Sequence, residues 1–157
     1  MKLHLLTIAL FSLIHASFGK DVTVGDAFII SLPDTAKEQT QSQHSYGFPD
    51  TILPKYHDDS FQLFMYRWPA MKAYPLNRIP QQWATNKEWA SISAITEGTT
   101  DSGIPYVTFT TRIAEDNRRP FDSVMTVLRS STEEAYMFQM TGDKKAIDAI
   151  RNTIKHK

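Results

Sequence analysis

The chain has 157 residues, 17 basic and 17 acidic side chains, no cysteine and 41% hydrophobic residues. That length supports one core beside a short leader, and the even charge balance offers no long-range attraction for phosphate backbones, so nucleic acid is not expected as a partner. The absence of cysteine excludes a disulfide scaffold and leaves the core and the backbone ladder to hold the fold.

From the amino terminus, Met1-Lys2, the apolar run Leu3 to Ile14 and the small-residue segment Ala16-Ser17-Phe18-Gly19 follow the order of a secretory signal peptide. Leu3 to Phe18 is shorter than the roughly 20 apolar residues that cross a bilayer, and it carries His4 and His15, which favours cleavage over retention as an anchor. Ser17 and Gly19 meet the small-residue preference at the cut. This sets the signal at 1–19 and a single domain at 20–157, with cleavage after Ala16 or Ser17 as alternatives. No cysteine stands at the junction to carry a lipid, so no stable membrane anchor is expected after cleavage and the expected localisation is periplasmic or secreted.

Val22 to Leu32 is β-rich and reads as one strand ending at Pro33-Asp34, and Thr35 to Ser45 reads as a polar loop. Gly47, Pro49 and Pro54 limit Tyr46 to Tyr56 to an irregular strand before a turn at Asp58-Asp59. In Ser60 to Trp68, Phe61, Leu63 and Met65 alternate with Phe64, Tyr66 and Trp68, so both faces need cover and the strand is expected to be central. After a loop from Pro69 to Leu76, a helix is expected over Arg78 to Ala90, capped by Asn77, with Pro80 in its first turn. Ser91 to Thr99 and Ile104 to Ala114 flank Asp101-Ser102-Gly103 as a hairpin. Phe121 to Arg129 and Ala135 to Thr141 continue a meander, and Asp143 caps a helix whose Ile147, Ile150 and Ile154 share a face. The expected class is α+β, an antiparallel β-sheet covered by helices.

Phe28-Ile29-Ile30-Ser31-Leu32-Pro33, the middle helix, the meander and Tyr136-x-Phe138-x-x-Thr141-Gly142-Asp143 before a helix ending Ile150-x-x-x-Ile154 together resemble PsbP-like and DcrB-like domains. The resemblance spans nearly the whole mature chain. It implies an α-β-α sandwich used as a non-enzymatic accessory or protein-binding module, often exported in bacteria, and it brings no catalytic residue.

The residues themselves supply little chemistry. His44, His57 and His156 are the histidines outside the leader, and His57-Asp58-Asp59 with His44 or Asp50 lacks a recognised metal-ligand spacing, so no metal and no cofactor are assigned. No Gly-x-Ser-x-Gly elbow occurs, and the adjacent acids Glu133-Glu134 and Asp58-Asp59 read as diverging side chains in turns. Glu115 to Arg119 reads as a soluble loop. Tyr66, Trp68, Tyr74, Trp83 and Trp89 crowd one region, and Trp68-Pro69 with Tyr74-Pro75 lie where a strand opens into a loop. A protein interface is therefore expected at Trp68, Tyr74 and Tyr66. The expected function is an exported, non-enzymatic domain that binds another envelope or secreted protein, as an accessory factor or as an immunity protein against a periplasm-delivered toxin. The competing class is a small-ligand carrier or hydrolase with a pocket near Tyr66, Trp68 and His57.

Overall fold

The computed structural model describes residues 18–39, 51–85, 90–93, 95–114 and 120–157. The apolar stretch read as one strand from Val22 to Leu32 is folded in two, because Gly25 takes φ 57 and reverses the chain at Gly25-Asp26-Ala27. β1 (Phe18–Val24) and β2 (Phe28–Pro33) are thus an antiparallel hairpin with Val24 opposite Phe28. The Gly-Asp turn signal is present in the sequence but lies inside an apolar run that reads as continuous.

β3 (Lys37–Gln39) falls within the segment expected to be loop, and β4 (Thr51–Ile52) and β5 (Lys55–His57) are the short strands on either side of Pro54. β6 (Phe61–Trp68) follows the Asp58-Asp59 turn. The expected strand from Ser91 to Thr99 is two strands, β7 (Ala90–Ile92) and β8 (Thr96–Thr99), both paired to β9 (Pro105–Ile113). Between them the Ser93 hydroxyl accepts the Thr110 N–H at 3.3 Å, taking the place of a ladder carbonyl. β10 (Phe121–Arg129) and β11 (Ala135–Gly142) complete the meander, and β12 (Lys155–His156) closes the chain.

The large antiparallel sheet runs β3-β5-β6-β11-β10-β9-β7, with β4 also on β6 and β8 also on β9, while β1, β2 and β12 form a separate small sheet. Ala135 to Met140 are six consecutive buried residues, which marks β11 as the strand covered on both faces. β6 is its neighbour and has the two-sided burial its alternation predicts. On one face Leu63, Met65, Phe138 and Met140 pack with Phe28, Ile30 and Leu32 of the small sheet. Ile147 and Ile150 of α2 (Lys144–Asn152) and Ile154 just beyond it join the same cluster. On the other face Tyr66, Trp68, Phe109, Met125, Val127 and Met137 pack beneath Ile79 and Trp83.

Those last two residues belong to α1 (Ile79–Ala84), shorter than the expected helix over 78–90. Asn77 does not cap it. Asn77 lies inside a 3-10 turn, Leu76–Arg78, and the cap residue of α1 is Arg78, whose side chain makes no capping hydrogen bond, although Pro80 sits in the first turn as expected. The helix ends where Thr85 becomes extended, with ψ 130, and Trp89 lies outside the described residues.

α2 has the cap the sequence predicts. Asp143 Oδ1 accepts the N–H groups of Lys145 at 2.8 Å and Ala146 at 3.1 Å, an arrangement that contributes about 1 kcal/mol. Gly142 before it has φ 128, and a Cβ there would stand 2.2 Å from the Ser60 carbonyl oxygen. Only glycine lets β11 end against the β5–β6 turn, where the Asp143 N–H then reaches Ser60 O at 2.8 Å. Among the described residues no helix is long and apolar enough to cross a membrane.

Candidate functional site

The expected aromatic interface divides along the line between core and surface. Tyr66 and Trp68 are 4% and 6% exposed and belong to the cluster beneath α1, whereas Tyr74 is 37% exposed. Tyr66 and Trp68 therefore do not stand out as exposed anchors. They occupy the β6 face that α1 and the preceding turns cover, and the accessible part of the expected patch contracts to Tyr74.

Tyr74 sits between the 3-10 turns Pro69–Ala73 and Leu76–Arg78. Each turn sets one apolar side chain inward, Met71 and Leu76, against the core cluster. The Tyr74 N–H donates to Met71 O at 3.1 Å and the Arg78 N–H to Pro75 O at 2.9 Å, so the loop is tied back on itself at both ends. A third tie comes from the sheet. Arg129 at the end of β10 has a side chain only 17% exposed, and its Nη2 donates to the carbonyl oxygens of Met71, at 3.3 Å, and of Tyr74. Its Nη1 donates to Glu133 O at 2.6 Å, and Glu133 takes φ 65 in the β10–β11 turn. Guanidinium donors spread over three carbonyls, two of them in the loop, tie the loop backbone to the β10–β11 turn while Tyr74 stays exposed. An aromatic presented from a fixed backbone loses little conformational entropy when a partner covers it. A lone arginine ending a strand gave no sign of this role in the sequence.

A second place is an open cleft of about 460 Å³ lined by Thr35, Lys37, His57, Asp58, Asp59 and Ser60. Asp58 is committed to the turn. Its Oδ1 accepts from Ser60 N–H and Oγ, each at 2.7 Å, and from Phe61 N–H at 3.1 Å, while Oδ2 accepts from Thr35 Oγ1 at 2.9 Å. Partial burial alone would raise this carboxyl, but the donors from Ser60, Thr35 and Phe61 outweigh it and hold Asp58 below the usual carboxylate value. Asp58 thus adds stability above the ordinary carboxylate range and loses it as the pH falls through its own lowered value. Urea midpoints measured against pH for the parent and Asp58→Asn are expected to differ at neutral pH and to converge below about pH 4. A constant gap across that range would rule the linkage out.

His57 lines this cleft but is far from the aromatics. His57 stands opposite Gln62, four residues along β6 from Tyr66 and six from Trp68, separations of about 13 and 20 Å at strand rise. The structure does not bring Tyr66, Trp68 and His57 into one pocket. His44 and Asp50, the other residues weighed for a metal with His57, lie outside the described residues, as does Glu115 to Arg119. Among the described residues no three His, Cys, Asp or Glu side chains converge. Glu133 and Glu134 diverge as expected. Glu133 stands 3.9 Å from Arg129, whereas Glu134 pairs with Arg67 at 2.8 and 3.0 Å.

No family model matches the chain, and no curated protein matches it. Its structure is similar to the solution structure of cyanobacterial PsbP (CyanoP) from Synechocystis sp. PCC 6803, with a TM-score of 0.54 and 13% identity over 88% of this chain and 92% of that one. The fold is PsbP-like. At that identity the likeness is one of architecture: a large antiparallel sheet with two short helices. Within the PsbP-like fold, the closing motif noted in the sequence has a local physical basis. Tyr136 and Phe138 meet Phe28 edge-on, with ring centroids 5.2 and 6.2 Å away, which joins the small sheet to β11. The Tyr136 hydroxyl donates to Asp26 Oδ1 at 2.9 Å, and burial followed by this carboxylate pushes the phenol up to about 12.

Proposed function

We propose that this chain is an exported, non-enzymatic protein-binding domain of the bacterial envelope. It acts as an accessory factor or as an immunity protein against a toxin delivered to the periplasm, and the turn from Pro69 to Arg78 makes the contact. The observation that carries this reading is the Arg129 clamp, which fixes the backbone at Met71 and Tyr74 while leaving Tyr74 exposed. Export is supported by the order of residues 1–19. A cut after Gly19 also preserves the β1 pairings from Lys20–Leu32 to Val24–Phe28, so the processed chain keeps its hairpin. Mass measurement of the exported protein is expected to give a chain starting at Lys20; an exported pool that still starts at Met1 would reject cleavage.

The binding test begins with a pull-down from envelope extract using the processed protein, followed by calorimetry with the captured partner. Tyr74→Ala is expected to weaken that complex by about 1 to 3 kcal/mol, because an aromatic seated in a partner's pocket carries a large share of affinity. Its melting temperature should stay close to the parent's, since the ring is not part of either core cluster. Parent-like affinity in a folded Tyr74→Ala protein would remove Tyr74 from the interface.

A further inference from the structure

We infer, building on that binding reading, that the partner of this loop is a protein surface with an apolar recess inside an acidic rim. Residues 60–87 contain Arg67, Lys72, Arg78 and Lys87 and neither aspartate nor glutamate. Arg67 is spent on Glu134. Lys72 and Arg78 are exposed, flank Tyr74 within the two tied turns, and make no ion pair among the described residues. Glu133, 68% exposed on its side chain, stands 3.9 Å from Arg129 rather than against either cation of the loop. The loop thus presents one aromatic ring and two unpaired cations from a backbone that is already fixed. Ion pairs at an interface rim add selectivity and association rate, and an acidic rim is the complement of this arrangement, while the recess receives the ring.

Exposed Ala73 beside the ring carries the test. Ala73→p-benzoylphenylalanine in the full chain, irradiated in envelope extract, is expected to give one adduct whose linked peptide lies in an Asp- and Glu-rich segment. Its yield should fall about tenfold when Lys72→Glu and Arg78→Glu are added, and should fall again when salt rises from about 0.05 to 0.5 M, with melting unchanged. An adduct indifferent to charge reversal and salt would overturn the acidic rim while leaving the binding reading in place. No adduct at all would overturn both. Sedimentation with phosphatidylglycerol vesicles tests an anionic lipid surface as the occupant: vesicle binding lost on the same charge reversal would overturn the protein partner, and none is expected.

Discussion

Trp68→Ala is expected to lower the unfolding free energy by about 3 to 5 kcal/mol, enough to remove a large part of the stability of a domain this size. The ring ends β6, opposite Ala135 of β11, and is buried among Tyr66, Ile79, Trp83 and Met137. Truncation leaves a cavity that those neighbours fill only in part, because β6 is held by ladder bonds on both sides. The outcome separates core from interface directly, since Trp68 and Tyr74 are six residues apart and each stands beside a proline. Thermal melts of the two variants should show a large loss for Trp68→Ala and little change for Tyr74→Ala. A Trp68→Ala protein that melts with the parent would place the ring outside the core.

Ile150→Ala is expected to cost about 2 to 4 kcal/mol. Ile150 is 1% exposed, and with Ile147 and Ile154 it fills the space between α2, β2 and β11. The segment also carries a second seam: Thr153 Oγ1 accepts the Ser31 N–H at 3.0 Å and donates to Ile150 O at 2.7 Å, tying the end of the helix to β2. Loss of the Ile150 side chain therefore weakens the packing that holds the small sheet against the large one. Chemical unfolding should show a lower midpoint with an unchanged denaturant slope, the sign of lost stability in a fold that is otherwise intact. A midpoint equal to the parent's would show that the stripe is not core.

The strands and the closing helix were legible in the sequence because a periodicity of two or of about 3.6 residues needs no knowledge of the partner. β6, β10 and β11 lie where alternation and apolar runs put them, and Asp143 caps α2 as its position before an amphipathic segment predicts. Gly103, with φ 79, turns the β8–β9 hairpin as expected. The β1–β2 hairpin and the short α1 differ from the sequence expectation for a related reason. In both segments the apolar pattern continues through the point where the chain turns, which hides the Gly25-Asp26 turn signal in the first and the end of the helix at Thr85 in the second.

The positions of β6, β10, β11 and α2, the two-sided burial of β6 and the Thr-Gly-Asp closure were set by local sequence alone, since each follows from backbone preference and side-chain spacing within a few residues. Which aromatic faces water was decided by the tertiary structure. Trp68-Pro69 and Tyr74-Pro75 look alike in the chain, but α1 and Met71 and Leu76 close over the β6 face, while Arg129, 55 residues from Tyr74 in sequence, fixes the loop with the Tyr74 ring outside. Contacts between such distant positions leave no periodic trace, so neither the clamp nor the exposure of Tyr74 beside two cations that make no ion pair among the described residues can be read before the chain is folded.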